Sequence, residues 1–541
     1  MRCSSSGRVS AKCSGRYMVV SKRVPELSPG CGMMKMASFE VFHWTSLHWK
    51  GLLVTKAGPG RALYEEIKAR VLDGTYAAGT ALPSTRACAA ERGLSRSTVS
   101  VVYDQLASEG LIETQPGGAS RVAVGAMRVL GPRAAALPGL DRTTRLSAYG
   151  ARAVTLVPGY PRPLEPGLID FVYGPLAGRD FPTQTWMKAL RRVEGERPAR
   201  LAYLDPRGDH ALRLALKAYL ARARGLACDV DQLLVVNGSQ QALDLSARVL
   251  LDPGDTVVVE NPGYRMAHHV FEATGARLRG VPVDHQGLCT DELNRVRKAK
   301  LAYVTPTHQF PLGSFLTMAR RQALLQWAGD RGAWVIEDDY DSEYRYGVRP
   351  EAALQSLDDR ACVIYVGTFS KTLSPQLRLG YMVLPPDLVD AFVAAKQLTD
   401  RHAPSSPQRV LASLLEDGSY DRHVRRIRRL QQARRTALLA ALDKHLPGQT
   451  IVEGSATGLH CVAWLPAVSG EREAELVALA RSKKVVVYPV TQFFLPATVP
   501  DRHRRSTGLV LGYALLEPDG IDTGVRRLAE AVRGMTQPHH L

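Results

Sequence analysis

The chain has 541 residues, which is enough material for about three domains of ordinary size. Hydrophobic residues make up 45% and charged residues 23%, as in globular proteins, and this excludes wholesale disorder and collagen-like repeats. No apolar run of about 18 residues occurs, so a membrane-spanning helix is not expected. Seventy lysines and arginines against 52 acidic residues give a net charge of +18. Binding to nucleic acid would explain this charge, and so would the high arginine content that codon bias produces in a GC-rich genome. The net charge alone does not decide between these explanations.

The eight cysteines are scattered over the whole length, and none stands in C-x-x-C spacing. Such a distribution is typical of reduced thiols rather than of a disulfide framework or a zinc site. No uninterrupted apolar segment follows the N-terminal arginines, so a secretory signal is not expected. We therefore expect a cytoplasmic protein without a bound metal.

Residues 1–56 carry nine basic and two acidic side chains, a net charge of +7, and show no helical or strand period. We predict that this stretch is a disordered extension, or that it lies upstream of a true start at Met33, Met34 or Met36. A basic arm that binds DNA is the alternative interpretation.

From residue 57 the pattern changes to that of a small helical domain, which we place at 57–127. Leu63, Ile67 and Val71 mark one face of a helix that ends before Gly74. The segment carries seven basic and seven acidic residues and is therefore neutral. Affinity for DNA would then depend on the placement of individual side chains rather than on bulk charge.

Two further helices are predicted in this domain, separated by a short turn. Ser84 can cap the first, which stops at Gly93, and Ser95 can cap the second, which ends before Gly110. Two short helices joined by a turn that contains glycine are typical of a helix-turn-helix. The stretch 111–124 then predicts a small hairpin with a glycine turn, the wing of a winged helix.

Basic and hydroxyl side chains open both helices of this motif at positions that a hydrophobic core does not require. A helix N-terminus offers N–H groups to phosphate and short polar side chains to base edges. A small helical domain that packs on another part of the chain is the alternative. The stretch 82–99, with the Gly-Leu-Ile at 110–112, resembles the winged helix-turn-helix of GntR-type regulators, which implies binding to a double-stranded DNA operator. The resemblance implies DNA contacts at Arg86, Arg96, Ser97, Thr98, Gly117 and Gly118.

Residues 128–164 are rich in proline, alanine, glycine and arginine and show little period, which is typical of a linker. From 165 to 535, helical segments alternate with short apolar strands. This alternation predicts an α/β fold with a largely parallel sheet. The clearest strands are predicted at 233–236, 256–259, 301–304, 334–336 and 363–366.

One lysine stands close behind a predicted buried strand. The strand at 363–366 leads through Gly-Thr-Phe-Ser to Lys371, whereas most lysines are solvated surface groups. The carboxyl edge of a parallel sheet is where α/β folds bind ligands, and a desolvated lysine can form a Schiff base. Arg378 follows seven residues later and offers a fixed charge suited to a phosphate group.

Two other strand ends carry polar side chains. The strand at 334–336 runs into an acidic cluster with Asp338 and Tyr340, which alone would also fit a solvated strand end or a hard-metal site. A carboxylate can keep the pyridine nitrogen of a pyridoxal cofactor protonated, and a phenol can hydrogen-bond its ring oxygen. Gly238 and Ser239 connect a strand to a helix start that can cradle phosphate, although a plain capped helix looks the same.

The order of these motifs resembles the fold-type I, aspartate aminotransferase-like enzymes, which use pyridoxal 5′-phosphate (PLP). The resemblance covers about residues 165–535 and implies a large domain with a mostly parallel sheet and a smaller C-terminal α+β domain. It implies a Schiff base between Lys371 and PLP, and a homodimer in which Tyr203 reaches the phosphate bound by the partner subunit. The other residues implied are Asp338 at the pyridine nitrogen, Tyr340 at the ring oxygen, Tyr264 stacking on the ring, and Gly238, Ser239, Thr368, Ser370 and Arg378 around the phosphate.

Two motifs of that family are altered here. The segment 305–313 stands in the place of the Asn-Pro-x-Gly loop but lacks its asparagine, so contacts from His308 or Gln309 stay open. The late strand that carries a substrate-binding arginine in classical aminotransferases reads Val-Leu-Gly-Tyr at 510–513. Three arginines lie near it in a predicted loop, namely Arg502, Arg504 and Arg505.

A GntR-like winged helix, a linker and an aminotransferase-like body in this order resemble the MocR-type transcription regulators. The resemblance implies a dimeric, PLP-binding transcription regulator that responds to a small amine, an amino acid or PLP itself. A working PLP-dependent aminotransferase with a DNA-binding appendage is the alternative, and the missing late-strand arginine argues against it. A scaffold with an inactive PLP fold is disfavoured because the cofactor residues are present.

Overall fold

The structure is a computed structural model, and the chain divides into two compact units, Met1–Leu140 and Asp141–Leu541. The predicted extension 1–56 lies outside the described residues, as do Gly117, Arg502 and Arg504. Within the described part of the chain, no helix is both long and apolar enough to cross a membrane. The structure describes residues 58–114, 118–124, 146–157, 165–196, 202–347, 352–496, 498–500 and 505–536.

The described residues of the first unit form three helices and a two-stranded antiparallel wing. Its elements are α1 (Pro59–Leu72), α2 (Thr85–Arg92), α3 (Arg96–Ser108), β1 (Ile112–Glu113) and β2 (Arg121–Val122). The helix starts are capped as predicted, because the Ser84 hydroxyl accepts a hydrogen bond from Ala87 N and the Ser95 hydroxyl accepts one from Thr98 N. Gly93 ends α2 in the left-handed conformation, with φ of 62°.

The core of the first unit is formed by the apolar face that the sequence predicts. Leu63, Ile67 and Val71 of α1 are buried in one cluster with side chains of α3 and the wing. Each such side chain contributes about 1.5–3 kcal/mol on full burial. Tyr103 of α3 is buried as well, and its hydroxyl donates a hydrogen bond to the Pro83 carbonyl at 2.9 Å, which fixes the segment that precedes α2.

The second unit is built on an eight-stranded sheet in the order β4-β11-β10-β9-β8-β5-β6-β7. The strands of this unit are β3 (Ile169–Asp170), β4 (Leu233–Val236), β5 (Thr256–Asn261), β6 (Arg277–Asp284), β7 (Gly287–Leu288), β8 (Leu301–Val304), β9 (Trp334–Asp339), β10 (Val363–Thr368), β11 (Gly380–Val383), β12 (Ile451–Glu453), β13 (His460–Leu465), β14 (Val485–Val486), β15 (Tyr488–Pro489) and β16 (Thr507–Gly512). The run β10-β9-β8-β5-β6 is parallel, whereas β11 is antiparallel to both of its neighbours. The predicted α/β fold with a mostly parallel sheet is therefore confirmed.

Helices cover this sheet and connect its strands, which buries both faces and explains the apolar strands β4, β8 and β10. The helices formed by the described residues of the unit are α4 (Ala148–Leu156), α5 (Thr183–Gly195), α6 (His210–Arg224), α7 (Ser239–Leu250), α8 (Arg265–Thr274), α9 (Met318–Arg331), α10 (Val389–Asp400), α11 (Ser405–Glu416), α12 (Ser419–His445), α13 (Glu473–Ser482) and α14 (Pro518–Thr536). Helix α4 lies within the range 128–164, where the sequence predicts a linker. None of its residues is buried, so its sequence shows no apolar face that would have predicted it.

A smaller C-terminal α+β domain completes the second unit, as the fold class predicts. Strands β12, β13, β16 and β15 form a four-stranded antiparallel sheet, and its apolar face packs with α12 and α14. Strand β3 pairs with β14, so the segment that follows β3 runs from this domain toward the carboxyl edge of the large sheet.

Candidate cofactor and DNA-binding sites

A cavity of about 450 Å³ lies where β9 and β10 of the large sheet end. Ligands bind at such carboxyl edges because loops after parallel strands converge there. The cavity brings together most of the residues that the sequence predicts for the cofactor. Those that line it are Ser239, Tyr264, Asp338, Tyr340, Thr368, Ser370, Lys371 and Arg378.

Lys371 follows β10, and its Nζ donates a hydrogen bond to the carbonyl oxygen of Gly174 at 3.1 Å. Gly174 has φ of 104°, and a Cβ built there would lie 3.0 Å from the same Nζ, so glycine makes room for the lysine. Burial lowers the pKa of Lys371, while the negative charges of Asp341 and Asp338 act in the opposite direction. A lowered pKa favours the neutral, nucleophilic form of the amine.

Asp338 of β9 is buried, and only one of its two carboxylate oxygens accepts a hydrogen bond from a described residue. Its Oδ2 accepts a hydrogen bond from the Tyr303 hydroxyl at 2.7 Å, whereas Oδ1 is buried with no partner among the described residues. An unsatisfied buried polar atom costs about 1–3 kcal/mol. Burial raises the pKa of Asp338 to about 6, against the lowering effect of the Tyr303 hydrogen bond. A cationic N–H donor, such as a protonated pyridine nitrogen, would satisfy this oxygen and keep the carboxylate charged.

Tyr340 is held from behind by the loop whose contacts the sequence leaves open. Its hydroxyl donates to the His308 carbonyl at 2.9 Å and lies 3.0 Å from Nδ1 of the same histidine. That Nδ1 carries the proton because it also lies 2.9 Å from Oδ2 of Asp341, which is an acceptor. Gln309 donates to the carbonyl oxygen of Pro262 at 2.9 Å. His308 and Gln309 therefore brace the loop, and the loop residues that line the cavity are Thr305 and Phe310.

The start of helix α7 forms the opposite end of the cavity. Its N-cap is Gly238, with φ of 77°, and a Cβ built there would lie 2.7 Å from Nη2 of Arg378. Glycine therefore lets the guanidinium of Arg378 lie against the helix start, where it donates to the Asn237 carbonyl at 2.8 Å. The hydroxyls of Thr368 and Ser370 lie 3.0 Å apart in the same cavity. A helix N-terminus, a guanidinium and two hydroxyls make a site suited to a phosphate group.

A buried charge network, which the sequence analysis missed, supports this helix start. Asp400 of α10 accepts hydrogen bonds through Oδ2 from Asn237 Nδ2 at 2.7 Å and from Gln241 Nε2 at 2.8 Å. Lys396, which is fully buried, donates to Oδ1 of the same carboxylate at 2.7 Å. The network fixes the backbone whose carbonyl holds Arg378.

Four further cavity residues were missed because their segments carry no motif. Tyr173 and Gly174 follow β3, and His460 begins β13, so the chain topology alone brings them to this site. Tyr303 lies on a correctly predicted strand, but its contact with Asp338 depends on the register between β8 and β9, which the sequence does not show.

Two predicted cofactor residues are not among those that line the cavity. Gly238 directly precedes the lining residue Ser239, whereas Tyr203 lies away from the cavity. Its side chain is 71% exposed, with the Arg401 guanidinium 4.3 Å from the ring centroid and the His402 ring 6.0 Å away. Its predicted contact is with a phosphate bound by a partner subunit, and this stays a prediction.

The winged helix domain at 57–127, called the winged unit from here on, carries three arginines that form no ion pair among the described residues. Arg86 is the second residue of α2, Arg96 is the first residue of α3, and Arg121 begins the wing strand β2. The four other basic side chains described in this unit are compensated within it. The pairs are Arg61 with Glu65, Lys68 with Glu109, and both Arg70 and Arg92 with Glu66. The neutral unit therefore concentrates its unpaired positive charge on the helix-turn-helix and the wing.

The two polar side chains of α3 that are predicted to contact DNA differ in their exposure. Ser97 is exposed, and its hydroxyl lies 2.9 Å from that of Ser95. Thr98 is half-buried, its hydroxyl lies 2.7 Å from that of Ser95, and a Cβ built at Gly60 would lie 2.8 Å from its methyl group. Thr98 thus also packs α3 against α1, while Gly118 is exposed in the wing.

Two family models match the chain: "Bacterial regulatory proteins, gntR family" over residues 59–122 and "Aminotransferase class I and II" over residues 172–508. The probable rhizopine catabolism regulatory protein MocR of Rhizobium meliloti is 35% identical over 87% of this chain and 93% of its own length. The HTH-type transcriptional regulator TauR of Rhodobacter capsulatus is 33% identical over 86% of this chain and 94% of its own length. The crystal structure of kynurenine aminotransferase from Pyrococcus horikoshii matches with a TM-score of 0.63 and 30% identity, covering 69% of this chain and 92% of its own.

Aminotransferases of class I and II use PLP, and two observations show that this cavity fits that cofactor. The free Oδ1 of Asp338 offers an acceptor to a pyridinium N–H, and Gly238 leaves space for Arg378 at a helix start suited to phosphate. The gntR-family match makes the winged unit a DNA-binding domain. The chain therefore belongs to the MocR-type regulators, PLP-binding transcription regulators in which a GntR DNA-binding domain precedes an aminotransferase class I and II domain.

Proposed function

We propose that this chain is a homodimeric transcription regulator whose PLP-containing body senses a small amine, an amino acid or PLP and thereby controls operator binding. One observation carries the proposal. A half-buried lysine and a free carboxylate oxygen share a cavity of about 450 Å³ in the same chain as a winged helix with unpaired arginines. Two copies would place two winged helices on a repeated or palindromic operator. The exposure of Tyr203 supports the dimer, since it leaves the ring available to a partner subunit.

When bound, PLP supplies an aldehyde carbon at which one primary amine can exchange for another. In the proposed site Lys371 provides the resident amine and Asp338 keeps the proton on the pyridine nitrogen. Tyr340 would hydrogen-bond the ring oxygen and Tyr264 would stack on the ring. The phosphate would be held by Gly238, Ser239, Thr368, Ser370 and Arg378.

A ligand shifts a conformational equilibrium only through contacts that differ between the two states. The hydrogen bond from Lys371 Nζ to the Gly174 carbonyl is such a contact, because it requires a lysine amine that is not bound to the cofactor. Gly174 lies shortly after Phe171, whose carbonyl accepts from Gly512 N of the small domain at 2.8 Å. An amine that takes the place of Lys371 on the cofactor would free the lysine to donate to the Gly174 carbonyl. Lys371 follows strand β10 of the large sheet, so this hydrogen bond would connect the large sheet to the segment after β3, which is also bonded to the small domain.

Operator binding of the full-length protein tests this function directly. Fluorescence anisotropy with DNA from the promoter region of the chain's own gene should show an affinity that changes on addition of PLP, amines or amino acids. An affinity that none of these ligands changes would contradict the proposal. Sustained turnover of an amino acid with a keto acid would instead favour the alternative of a working aminotransferase.

The Asp338→Asn variant should bind PLP about 10–100-fold more weakly, because a charged hydrogen bond of about 1.5–3 kcal/mol becomes a neutral one. Titration of apo protein with PLP, followed by absorbance, measures the change. Tyr303→Phe is the matched control, since it removes a donor to Asp338 but keeps the carboxylate. Its effect should be smaller, and equal affinity of Asp338→Asn and wild type would contradict the assignment.

A further inference from the structure

The cavity contains two cationic side chains among the described residues that line it, Lys371 and Arg378. Arg378 is directed to the start of α7 through its hydrogen bond with the Asn237 carbonyl, where the proposed function places a phosphate. Lys371 is the amine that a ligand would replace. Neither cation is therefore available to bind the carboxylate of an amino acid.

The strand that carries a carboxylate-binding arginine in classical aminotransferases contributes an apolar side chain here. Val510 of β16 is buried in one cluster with Phe310 and Phe493. The ring of Tyr173 lies 4.9 Å from that of Phe310, and the ring of Phe310 lies 5.2 Å from that of Phe493. Since Tyr173 and Phe310 both line the cavity, this aromatic cluster forms part of its wall. A carboxylate against such a wall would lose its hydration without gaining a partner.

His460 is an ionisable group on the same wall, and it is neutral. Its Nε2 lies 3.0 Å from the carbonyl oxygen of Pro311, so Nε2 carries the proton and Nδ1 is an acceptor. Burial lowers the pKa of His460 to about 3. A neutral imidazole does not replace the missing arginine as a partner for a carboxylate.

Two described arginines outside the lining are candidates for binding a carboxylate, since Arg265 follows Tyr264 in the chain and Arg505 precedes β16. Arg265 is exposed and donates to the Gln492 carbonyl at 3.1 Å, and Arg505 is exposed at the start of the segment before β16. Neither belongs to the residues that line the cavity.

We infer that the effector is a primary amine that has an apolar body and carries no carboxylate. Its amine would take the place of Lys371, and its body would contact Tyr173 and Phe310. The inference rests on the proposed function, because it names the class of molecule that exchanges with Lys371.

The test uses two ligands that differ only in a carboxylate, 2-phenylethylamine and phenylalanine in both enantiomers. Full-length protein loaded with PLP is titrated with each, and both the cofactor absorbance and the affinity for a labelled operator are recorded. We expect the apparent Kd for 2-phenylethylamine to be at least tenfold lower than the apparent Kd for either enantiomer of phenylalanine. Phe310→Ala should weaken 2-phenylethylamine about tenfold and methylamine less, because methylamine has no body to contact the ring.

Phenylalanine that binds as tightly as 2-phenylethylamine would overturn the inference and leave the proposed function standing. Loss of that phenylalanine binding in Arg265→Ala or Arg505→Ala would identify the cation responsible. If neither ligand changes the absorbance or the operator affinity, the inference fails. The proposed function fails with it only if PLP and the other amines and amino acids also leave the operator affinity unchanged.

A different observation concerns helix α4, which lies within the range 128–164 that the sequence predicts as a linker. Arg152 donates through Nε to the carbonyl of Ala273 at 2.9 Å, and a Cβ built at Gly275 would lie 3.2 Å from its Nη2. These residues end α8, where free carbonyls and the helix dipole favour a cation. Helix α4 packs along α8 without burying any side chain, and the Arg152 hydrogen bond is a specific polar contact between the two helices.

Helix α8 has Tyr264 as its N-cap and Ala273 near its other end. One helix therefore connects a residue that lines the cofactor cavity with the contact that anchors α4. We propose that movement of Tyr264 on ligand binding is transmitted through α8 to α4. Because α4 packs without a buried side chain, its contact with α8 is of the kind that can be made and released.

Arg152→Ala should bring the ratio of operator affinities of apo and PLP-loaded protein close to 1, with the PLP absorbance unchanged. Thr155→Ala is the matched control, because its hydroxyl contacts only the Ala151 carbonyl within the described part of α4, and it should keep the wild-type ratio. A wild-type ratio of 1, or an Arg152→Ala ratio within twofold of wild type, would overturn this proposal.

Discussion

The Lys371→Ala variant should lose the visible absorbance band of bound PLP and the response of operator binding to amines. Lys371 carries the only side-chain amine among the described residues that line the cavity, so none of them can take its place. The start of α7 and Asp338 are unchanged, so PLP should still bind, at least tenfold more weakly. Absorbance titration and anisotropy with the operator measure the two effects on the same preparation.

The variant also tests the contact proposed for the switch. Without Lys371 the Gly174 carbonyl has lost its donor in every ligand state. Operator affinity should therefore stay at the value of the PLP-loaded, amine-free protein, whatever amine is added. Lys371→Arg is the control for charge, since it keeps a cation but cannot form a Schiff base. An amine response that persists in either variant would show that exchange at Lys371 is not the switch.

The strands were predictable where both faces of the sheet are buried. The predicted bounds of β4 and β8 agree with the structure because each is an uninterrupted apolar run. Strand β9 was predicted too short, ending at Ile336, although the ladder continues to Asp339. Its last residues are acidic, and at this edge they point to specific partners instead of solvent: Glu337, for example, accepts from Leu354 N at 2.8 Å.

The site residues that lie at the ends of buried strands could be predicted from the sequence, and the others could not. Lys371, Asp338 and Gly238 were found because each follows or ends a buried strand, and such ends meet at one edge of a parallel sheet. Tyr173 and His460 come from the segment after β3 and from the small domain, and only the packing of the two domains brings them to the cavity. No local pattern in the sequence carries that information.

In the winged unit, too, the sequence gives the charges but not the contacts that depend on packing. The sequence shows that the unit is neutral, but not which arginines remain unpaired. The Arg92–Glu66 pair, at 2.8 Å, joins α2 to α1 and depends on how the helices pack. Arg96 is left without a carboxylate partner in the described part of the chain, and this makes it the sharpest test of the DNA-binding surface.

The Arg96→Ala variant should weaken operator binding about 10–100-fold, the range expected for a base or phosphate contact worth about 1–3 kcal/mol. Arg96 is exposed at the first residue of α3 and has no ion pair among the described residues, so its removal should leave the fold and the PLP absorbance unchanged. If the contact is with a phosphate, the salt dependence of log Kd should also fall by about one unit of slope per subunit.

Arg61→Ala is the control that separates placement from charge. It removes the same charge from the same unit, but Arg61 is exposed and already paired with Glu65 on α1. An exposed pair of this kind contributes about 0–1 kcal/mol, so operator affinity should change by no more than a few-fold. Equal losses in Arg61→Ala and Arg96→Ala would mean that the winged unit attracts DNA by its positive charge in general. A loss confined to Arg96→Ala would show that a neutral domain binds its operator through a few arginines that lack carboxylate partners.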